Sequence, residues 1–447
     1  MECSLKNLSK LIKTNLFKGT IILTSSMFLI RIIGFLFRIF LIGHIGEEGL
    51  GLFQLILPVQ VIGFSLCIAG FETAIAKMVS EQKDDYSKII IFKKLIYLSI
   101  ITSIVFAMLI FVFSDYIAYR FLLEPRCEKM IKYLSIVFPF AVVHSCICSF
   151  YIAKKIPSLY AISTLVEQIV RVLMIFILIF ILNKCHYTIN PVVVVYGSIA
   201  GEISAAVFCY VKFYKDYSKI LLQISKRKLN FDASIPDKKE IVSYVVPLTS
   251  NKLMLSVLQS IQSIMIPLQL TKYGVTNTEA LSVYGIVLGL ILPLICFPGS
   301  LINSLGKLLL PKISFLHANK KNEEIKKYIS SIIASCFIYG VLCFVFFYLC
   351  SNLICHILFK NNYGIYIRLL SFSCPFIFLS VILINILNGL GKTKTAFIHS
   401  VFSTLIQLGS IIYLVPVIGI TGFIIGITLS YVLVTILNYA SIVKALM

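Results

Sequence analysis

Seven ionisable residues stand out because they lie deep inside apolar segments of the chain, where a charged side chain is costly. They are Arg31, Arg38, Glu72, Glu167, Arg171, Glu202 and Lys252. A charge near the middle of a membrane helix costs about 2.5–3.5 kcal/mol on the insertion scale, so each of these residues is a candidate for function. Their cations suit an anionic ligand, because a guanidinium group offers paired hydrogen-bond donors to phosphate oxygens.

Polar side chains also form stripes along two predicted helices. Arg31 and Arg38 are seven residues apart with Gly34 between them, so they fall on nearly the same side of a helix. A second stripe repeats at spacings of four, three and four residues: Lys252, Ser256, Gln259 and Ser263. We predict that the two stripes line opposite walls of one cleft, where their cations and Gln259 contact the ligand.

An alternative is that these charges neutralise one another within the protein. Glu167 and Arg171 are four residues apart, so they can pair on one helix face. Glu72 and Glu202 can neutralise the first-helix arginines from other helices. All four residues stay candidates for ligand contact beside this structural role.

The cysteines and histidines predict no metal site. The thirteen cysteines are scattered, mostly in apolar segments, and no C-x-x-C pair or Cys/His cluster appears. Cys146 and Cys148 are the closest pair, and on a helix they point to different faces. We expect His144 and His399 to be packed, hydrogen-bonded side chains rather than proton sites. Neither a metal ion nor a cofactor is expected.

Membrane helices are the elements that must position these residues. Of the 447 residues, 59% are hydrophobic and 13% are charged, whereas a soluble domain has about 25% charged residues. Apolar runs of about 20 residues recur along the chain, which excludes soluble enzymes, secreted disulfide scaffolds and disordered tails. About twelve spans are predicted, at approximate positions 17–43, 49–76, 91–114, 133–153, 159–183, 191–212, 241–268, 279–306, 328–350, 365–389, 395–415 and 420–443.

The charge distribution predicts the orientation of the chain. Forty Lys and Arg residues against 19 Asp and Glu residues give a net charge of +21. The basic residues concentrate in alternate loops, so the positive-inside rule places both termini in the cytoplasm. The excess charge therefore indicates no nucleic-acid partner.

The two halves of the chain resemble each other at an offset of about 230–236 residues. The matching features are Phe138-Pro139-Phe140 and Cys374-Pro375-Phe376 at two helix starts, and Ala69-Gly70 and Pro298-Gly299-Ser300 at two small-residue breaks. We predict an N-terminal six-helix lobe at 1–216, a cytoplasmic linker at 217–238 and a C-terminal six-helix lobe at 239–447. Such duplication is typical of transporters that alternate access around a central cavity.

Short motifs over almost the whole chain share the pattern of a known family. They are Phe17-Lys18-Gly19-Thr20; Arg31, Gly34 and Arg38; Ile45-Gly46 with Gly49-Leu50-Gly51-Leu52-Phe53-Gln54; Ala69-Gly70 with Ala74-Ile75-Ala76; Glu167-Gln168 with Arg171; and Asn388-Gly389-Leu390-Gly391-Lys392. This set resembles the stage V sporulation protein B family of the multidrug/oligosaccharidyl-lipid/polysaccharide (MOP) exporter superfamily. The resemblance implies an all-α fold of two six-helix lobes forming a V-shaped, MATE-like, alternating-access transporter.

The resemblance also implies a cargo and a setting. It implies a flippase for a lipid-linked cell-wall or polysaccharide precursor, in the membrane of a spore-forming bacterium making cortex peptidoglycan. By position, Arg31 and Arg38 resemble cationic residues that face the cavity in related peptidoglycan-precursor flippases. Many members carry two further C-terminal helices that help form a lipid groove. This chain stops after about twelve, so the lipid tail is expected between the lobes or at a lateral gate.

Three functions are compared on these grounds. We favour a flippase for an anionic polyprenyl-pyrophosphate-linked precursor, acting as a monomer in the cytoplasmic membrane with membrane lipids as partners. The alternative is a cation-coupled multidrug exporter that uses Glu72, Glu167 and Glu202 as an acidic pocket. The third is a non-transporting scaffold, which would tolerate neutralisation of the buried charges. None of the three is an enzyme.

Overall fold

A computed structural model describes residues 15–82, 84–225, 238–319, 322–358 and 363–446. All regular secondary structure in these ranges is helical. The main helices are α1 (Asn15–Phe64), α2 (Gly70–Glu81), α3 (Asp85–Val112), α4 (Glu128–Leu134), α5 (Val137–Ala153), α6 (Ser158–Lys184), α7 (Val192–Ser225), α8 (Lys238–Tyr273), α9 (Asn277–Ile286), α10 (Leu292–Cys296), α11 (Gly299–Ala318), α12 (Asn322–Leu358), α13 (Gly364–Ser371), α14 (Cys374–Gly389), α15 (Thr393–Tyr413) and α16 (Ile420–Leu446). Wider π-helical turns lie at Ser65–Ala69, Ile117–Phe121 and Val287–Ile291, and shorter turns at Ser114–Tyr116, Pro125–Cys127 and Val415–Ile418.

The number of membrane spans agrees with the sequence. Among the described residues, nine helical segments are long and apolar enough to cross a membrane, and two bent pairs of helices raise the number to eleven. The segment Ser25–Glu81 has 57 residues, about 85 Å of helix against a hydrocarbon core of about 30 Å. Gly46 interrupts it with non-helical backbone angles (φ 73°, ψ 177°), so it contains two spans. The prediction of an all-α membrane protein with about twelve helices is confirmed.

The internal repeat appears as two bent helix pairs. Pro125–Leu134 and Val137–Ala153 are bent by 44°, and Gly364–Ser371 and Cys374–Gly389 by 45°. A proline lies near each second helix start, Pro139 or Pro375. Because proline lacks an N–H, it cannot continue the hydrogen-bond ladder of the preceding helix, but it is tolerated in the first turn of the next one. The chain therefore bends between the two helices of each pair.

The two predicted small-residue breaks differ in structure, because the first is a wider turn within a continuous helix and the second separates two helices. Ala69 is the last residue of the π-helical turn that precedes α2. In the second half, α10 ends at Cys296 and α11 begins at Gly299. Proline and inserted residues are the usual causes of such interruptions, because they remove bonds from the i to i−4 ladder.

By internal contacts the chain forms two compact units. Unit 1 contains Met1–Phe37 and Leu55–Ser260, and unit 2 contains Arg38–Gln54 and Ile261–Met447. The unit boundaries therefore fall inside α1 and α8. The lobes at 1–216 and 239–447 stay a prediction. Helix α7 continues to Ser225, so part of the predicted linker is helical, while residues 226–237 lie outside the described residues.

Each unit has a buried central helix from the repeat. In unit 1 this is α5, where Val137, Phe138 and Val142 are fully buried. In unit 2 it is α14, where Phe378 and Ile382 are fully buried. A helix that is apolar on all sides is buried by its neighbours. Helix α5 therefore brings its few polar side chains into the interior of unit 1.

Candidate functional site

A buried cluster of polar and charged side chains lies inside unit 1, around His144 of α5. The His144 Nδ1 atom is 3.4 Å from a carboxylate oxygen of Glu202 and 3.9 Å from one of Glu167. Its Nε2 atom is 2.9 Å from the hydroxyl oxygen of Ser163. Together with Arg171, these residues form what we call the His144 cluster. It joins α5 to α6 and α7.

Close packing of α6 against α7 holds the cluster together. A Cβ atom at Gly201 would lie 2.8 Å from the Glu167 carbonyl oxygen, and one at Gly197 would lie 3.0 Å from the Arg171 carbonyl oxygen. The two glycines are four residues apart, the spacing that lets membrane helices approach closely. On α6 the cluster residues Ser163, Glu167 and Arg171 also repeat every four residues, so they share one face.

The predicted pairing of Glu167 with Arg171 is present. The Arg171 guanidinium donates to the Glu167 carboxylate across one helical turn. The Nε atom of Arg171 is buried and has no acceptor among the described residues. The two charges therefore neutralise each other, and the Arg171 Nε–H remains a donor without an acceptor among the described residues.

Glu72 and Lys252 extend the polar interior of unit 1 to α2 and α8. Ser145 hydrogen-bonds to the Glu72 carboxylate, and Lys252 and His144 lie close enough to interact with it electrostatically. The Lys252 ammonium group is exposed and donates to the Ala69 carbonyl at 3.3 Å. This carbonyl ends the π-helical turn before α2. Lys252 is thereby held near the acidic side chains of the interior.

Gly70 allows α2 to approach α8 closely. A Cβ atom there would lie 2.0 Å from the Thr249 hydroxyl oxygen and 2.9 Å from the Val245 carbonyl oxygen. The hydroxyl groups of Ser65 and Ser256 are 2.5 Å apart. The predicted second stripe is therefore partly used in packing, since Ser256 is buried and Ser263 hydrogen-bonds to Tyr284. Lys252 and Gln259 are its exposed members.

Arg31 differs from the other intramembrane charges of unit 1. It is exposed and makes no hydrogen bond or ion pair with the part of the chain that the structure describes. Gly34, one turn further along α1, would place a Cβ atom 3.6 Å from the Gln168 amide nitrogen of α6. The Gly34 face of α1 thus packs beside the helix that carries Glu167.

Arg38 belongs to unit 2 and has a protein acceptor. Its Nη1 atom donates to the Gly289 carbonyl at 2.7 Å, in the π-helical turn Val287–Ile291. A Cβ atom at Gly289 would lie 2.9 Å from Leu50 of α1, so only glycine fits without a shift. Nearby on α1, the Glu47 carboxylate accepts a 2.6 Å hydrogen bond from Tyr363.

Histidine and cysteine side chains meet in a way that their spacing did not predict. Ligand atoms of His144, Cys148 and Cys209 lie within 4.8 Å of one another, all buried. The linear sequence shows no such cluster, because only the packing of α7 on α5 brings together two cysteines that are 61 residues apart. Cys146 points elsewhere, toward Ser99, so the predicted opposite facing of Cys146 and Cys148 is confirmed.

An apolar cavity of about 500 Å³ lies in unit 2 between α12, α14 and α16. Its lining includes Phe337, Leu379 and Ile442, with Lys326 and Tyr439 as polar members. A cavity of this size lies within the range of small-molecule sites, about 300–1,000 Å³. Its apolar walls suit hydrocarbon.

The sequence matches the model of a known family. Residues 16–298 match the model described as polysaccharide biosynthesis protein. The chain belongs to this family. The chain is 25% identical to Stage V sporulation protein B of Bacillus subtilis (strain 168), over 97% of this chain and 85% of that protein. It is 22% identical to Sporulation protein YkvU of the same organism, over 96% of this chain and 95% of that protein. The resemblance inferred from the motifs is confirmed.

Solved structures of transporters share its fold. An inward-facing multidrug resistance MATE family transporter of the MOP superfamily superposes with a TM-score of 0.69 at 12% identity, covering 93% of this chain and 95% of that one. The Vibrio cholerae MATE transporter VcmN superposes with a TM-score of 0.63 at 13% identity, covering 96% of both chains. At these identities the similarity establishes the MOP-type fold alone.

In this member of the polysaccharide biosynthesis protein family, sequence reasoning identified the charged residues but missed the role of His144. The predicted hydrogen bonding of both histidines is confirmed, since His399 contacts Asn438 at 2.7 Å. His144 is also the meeting point of Glu167 and Glu202. The spacing of four residues between His144 and Cys148 was the available signal, because it puts both side chains on one helix face.

Proposed function

We propose that this membrane protein is a flippase for an anionic polyprenyl-pyrophosphate-linked cell-wall or polysaccharide precursor, moved by alternating access. The observation that carries the proposal is the state of Arg31. An exposed cation in an apolar span, with no partner among the described residues, is costly unless a ligand offsets the charge. A pyrophosphate group has the charge and the geometry to bind a guanidinium group.

The pairing of the acidic residues favours an anion over a cationic drug. Glu167 is paired with Arg171, and Glu202 is buried against His144. The exposed polar groups of unit 1 at the predicted positions are instead Arg31, Lys252 and Gln259. A cation-coupled multidrug exporter would need an accessible carboxylate, for which Glu72 is the half-buried candidate.

Each residue has a role in this proposal. Arg31 binds the pyrophosphate through paired donors, and Lys252 adds a second positive charge from α8. Gln259 donates its amide to phosphate or sugar oxygens. Glu167 and Arg171 form an internal ion pair that keeps the helices of unit 1 in register, and the Arg171 Nε atom stays buried without an acceptor among the described residues.

The biological process is proposed from the relatives of the chain. Two sporulation proteins are similar over nearly the whole chain, which supports sporulation as the process, and the proposal places the precursor in the synthesis of spore cortex peptidoglycan. The proposal includes the two six-helix lobes at 1–216 and 239–447, joined by 217–238. It also includes a monomer in the bacterial cytoplasmic membrane with both termini in the cytoplasm, in contact with membrane lipids.

Native mass spectrometry of the purified full-length chain tests this function. The probe is an undecaprenyl-pyrophosphate-linked disaccharide, compared with the same lipid lacking phosphate. Loss of a hydrogen bond to a charged group costs about 1.5–3 kcal/mol, so Arg31→Gln and Lys252→Gln should each weaken binding at least about tenfold. Arg368→Gln is the control, since Arg368 is a cation near the end of the predicted span 365–389 and hydrogen-bonds to Ser351.

Two outcomes would contradict the proposal. The first is wild-type affinity in both Arg31→Gln and Lys252→Gln, which would make these cations structural. The second is equal binding of the lipid with and without phosphate. Drug efflux by the expressed protein that is lost in Glu72→Gln, together with either outcome, would support the multidrug exporter instead.

A further inference from the structure

We propose that His144, Cys148 and Cys209 form a buried binding site for one zinc ion inside unit 1. The three side chains come from two helices, α5 and α7, and their ligand atoms lie within 4.8 Å of one another. One imidazole and two thiols form a donor set that suits zinc. Neither the flippase proposal nor the family similarity requires such a site.

The distance between the two sulfur atoms fits a tetrahedral metal centre. The Sγ atoms of Cys148 and Cys209 are 3.7 Å apart. With zinc–sulfur bonds of about 2.3 Å, a tetrahedral angle places two sulfur ligands about 3.8 Å apart. A disulfide would require a separation of about 2.05 Å. The thiols therefore already have the spacing that a shared zinc ion needs.

The hydroxyl oxygen of Ser163 on α6 is a fourth donor atom beside the three proposed ligands. It is 2.9 Å from the Nε2 atom of His144 and 3.3 Å from the Sγ atom of Cys148. The hydroxyl group thus contacts two of the three proposed ligands, His144 and Cys148. This oxygen, or a water molecule that replaces it, completes the four-coordinate arrangement.

The surroundings of His144 match the usual second shell of a zinc-bound histidine. A histidine that binds a metal through one ring nitrogen donates the other N–H to a carboxylate or carbonyl group. In unit 1 the Nε2 atom faces Ser163, and the Nδ1 atom lies 3.4 Å from the Glu202 carboxylate. Glu202 thereby gains a specific role as the residue that orients His144.

Charge balance also favours the site. A zinc ion bound by two thiolates is electrically neutral, so the buried complex avoids the large cost of an uncompensated internal charge. Binding releases the two thiol protons. The ligands lie on helices rather than on loops, which holds their geometry closely.

Cobalt substitution in the purified full-length protein tests the proposal. Cobalt(II) bound by thiolates in a tetrahedral site has intense visible and near-ultraviolet bands, and zinc removes them by displacement. We expect one equivalent of cobalt in the wild type and none in Cys148→Ser or Cys209→Ser. Cys146→Ser is the matched control, because Cys146 is buried on the same helix but faces Ser99. It should retain the wild-type spectrum.

A second variant separates the role of Glu202 from a merely structural one. Glu202→Gln keeps the three ligands, so its cobalt spectrum should keep the tetrahedral bands. Its zinc affinity should fall about 10–100-fold, the usual effect of losing such a partner. Zinc content measured by inductively coupled plasma mass spectrometry on the same samples gives the stoichiometry directly.

Several results would overturn the site. They are wild-type bands in Cys148→Ser or Cys209→Ser, loss of the bands in Cys146→Ser, no tetrahedral bands in folded wild-type protein, and binding of copper(I) without cobalt or zinc. A Cys148–Cys209 disulfide recovered from protein purified without oxidant would do the same. Circular dichroism and monodisperse elution establish folding. All readouts are made without lipid cargo, so failure of the flippase proposal leaves them unchanged.

Discussion

A close approach of two helix backbones in unit 2 makes Gly51→Ala a severe change. A Cβ atom at Gly51 of α1 would lie 2.1 Å from the Leu281 carbonyl oxygen of α9, and one at Gly285 would lie 2.5 Å from the Gly51 nitrogen. Because the clash is with backbone, no side-chain rotation can relieve it. Ordinary contact begins near 3.4 Å, so the two helices must separate by about 1 Å.

The cost follows from that displacement. Overpacking in a close-packed interior costs about 1–3 kcal/mol. A shift of this size also stretches the 2.7 Å hydrogen bond from Arg38 to the Gly289 carbonyl. A hydrogen bond from a charged donor contributes about 1.5–3 kcal/mol, which is then lost. The higher helix propensity of alanine offsets up to about 1 kcal/mol of this destabilisation. The net destabilisation is about 2–5 kcal/mol.

Thermal unfolding of the purified chain in detergent measures this effect. For a unit of this size, 1 kcal/mol shifts Tm by about 2–4 °C, so Gly51→Ala should lower Tm by about 4–20 °C. Gly409→Ala is the control, since a Cβ atom there meets nothing within 4 Å. It should leave Tm unchanged or raise it. A Tm for Gly51→Ala equal to that of Gly409→Ala would refute the argument from close approach.

Two further predictions concern single interactions in unit 1. Glu167→Gln leaves the partly buried Arg171 without its carboxylate partner. It should therefore lower the apparent Tm more than the double change Glu167→Gln with Arg171→Met, which removes both charges. A larger fall in Tm for the double variant would contradict this. Asp84 caps α3 by accepting a 2.7 Å bond from the Ser87 amide, which lowers the pKa of Asp84. Because its folded pKa is below the unfolded value, the stabilisation is present above the unfolded pKa and is lost as pH falls through the folded pKa. Asp84→Ala should reduce the stability of the first turn of α3 by about 0.5–2 kcal/mol at neutral pH, and Asp84→Asn by much less. Hydrogen exchange of the amides in that turn measures the difference. Equal protection in both variants would contradict the capping role.

Local features of the sequence predicted the helices and several of their ends. Hydrophobicity over about 20 residues identifies a membrane span without reference to any other part of the chain. Pro139 and Pro375 act within one turn, so the two helix starts of the repeat could be predicted as well. The salt bridge of Glu167 with Arg171 belongs to the same class, because partners four residues apart meet on any helix.

Contacts between distant helices required the tertiary structure. His144 meets Glu202 across 58 residues, Cys148 meets Cys209 across 61, and Arg38 reaches Gly289 across 251. Helices α1 and α5 are nearly equally apolar on all sides, so hydropathy does not specify which of their faces pack against other helices. Small residues such as Gly201 decide that packing by allowing close approach. The sequence by itself therefore determined which segments are membrane helices and which charges lie within them, whereas the tertiary structure decided which of those charges are paired and which, like Arg31, have no partner among the described residues.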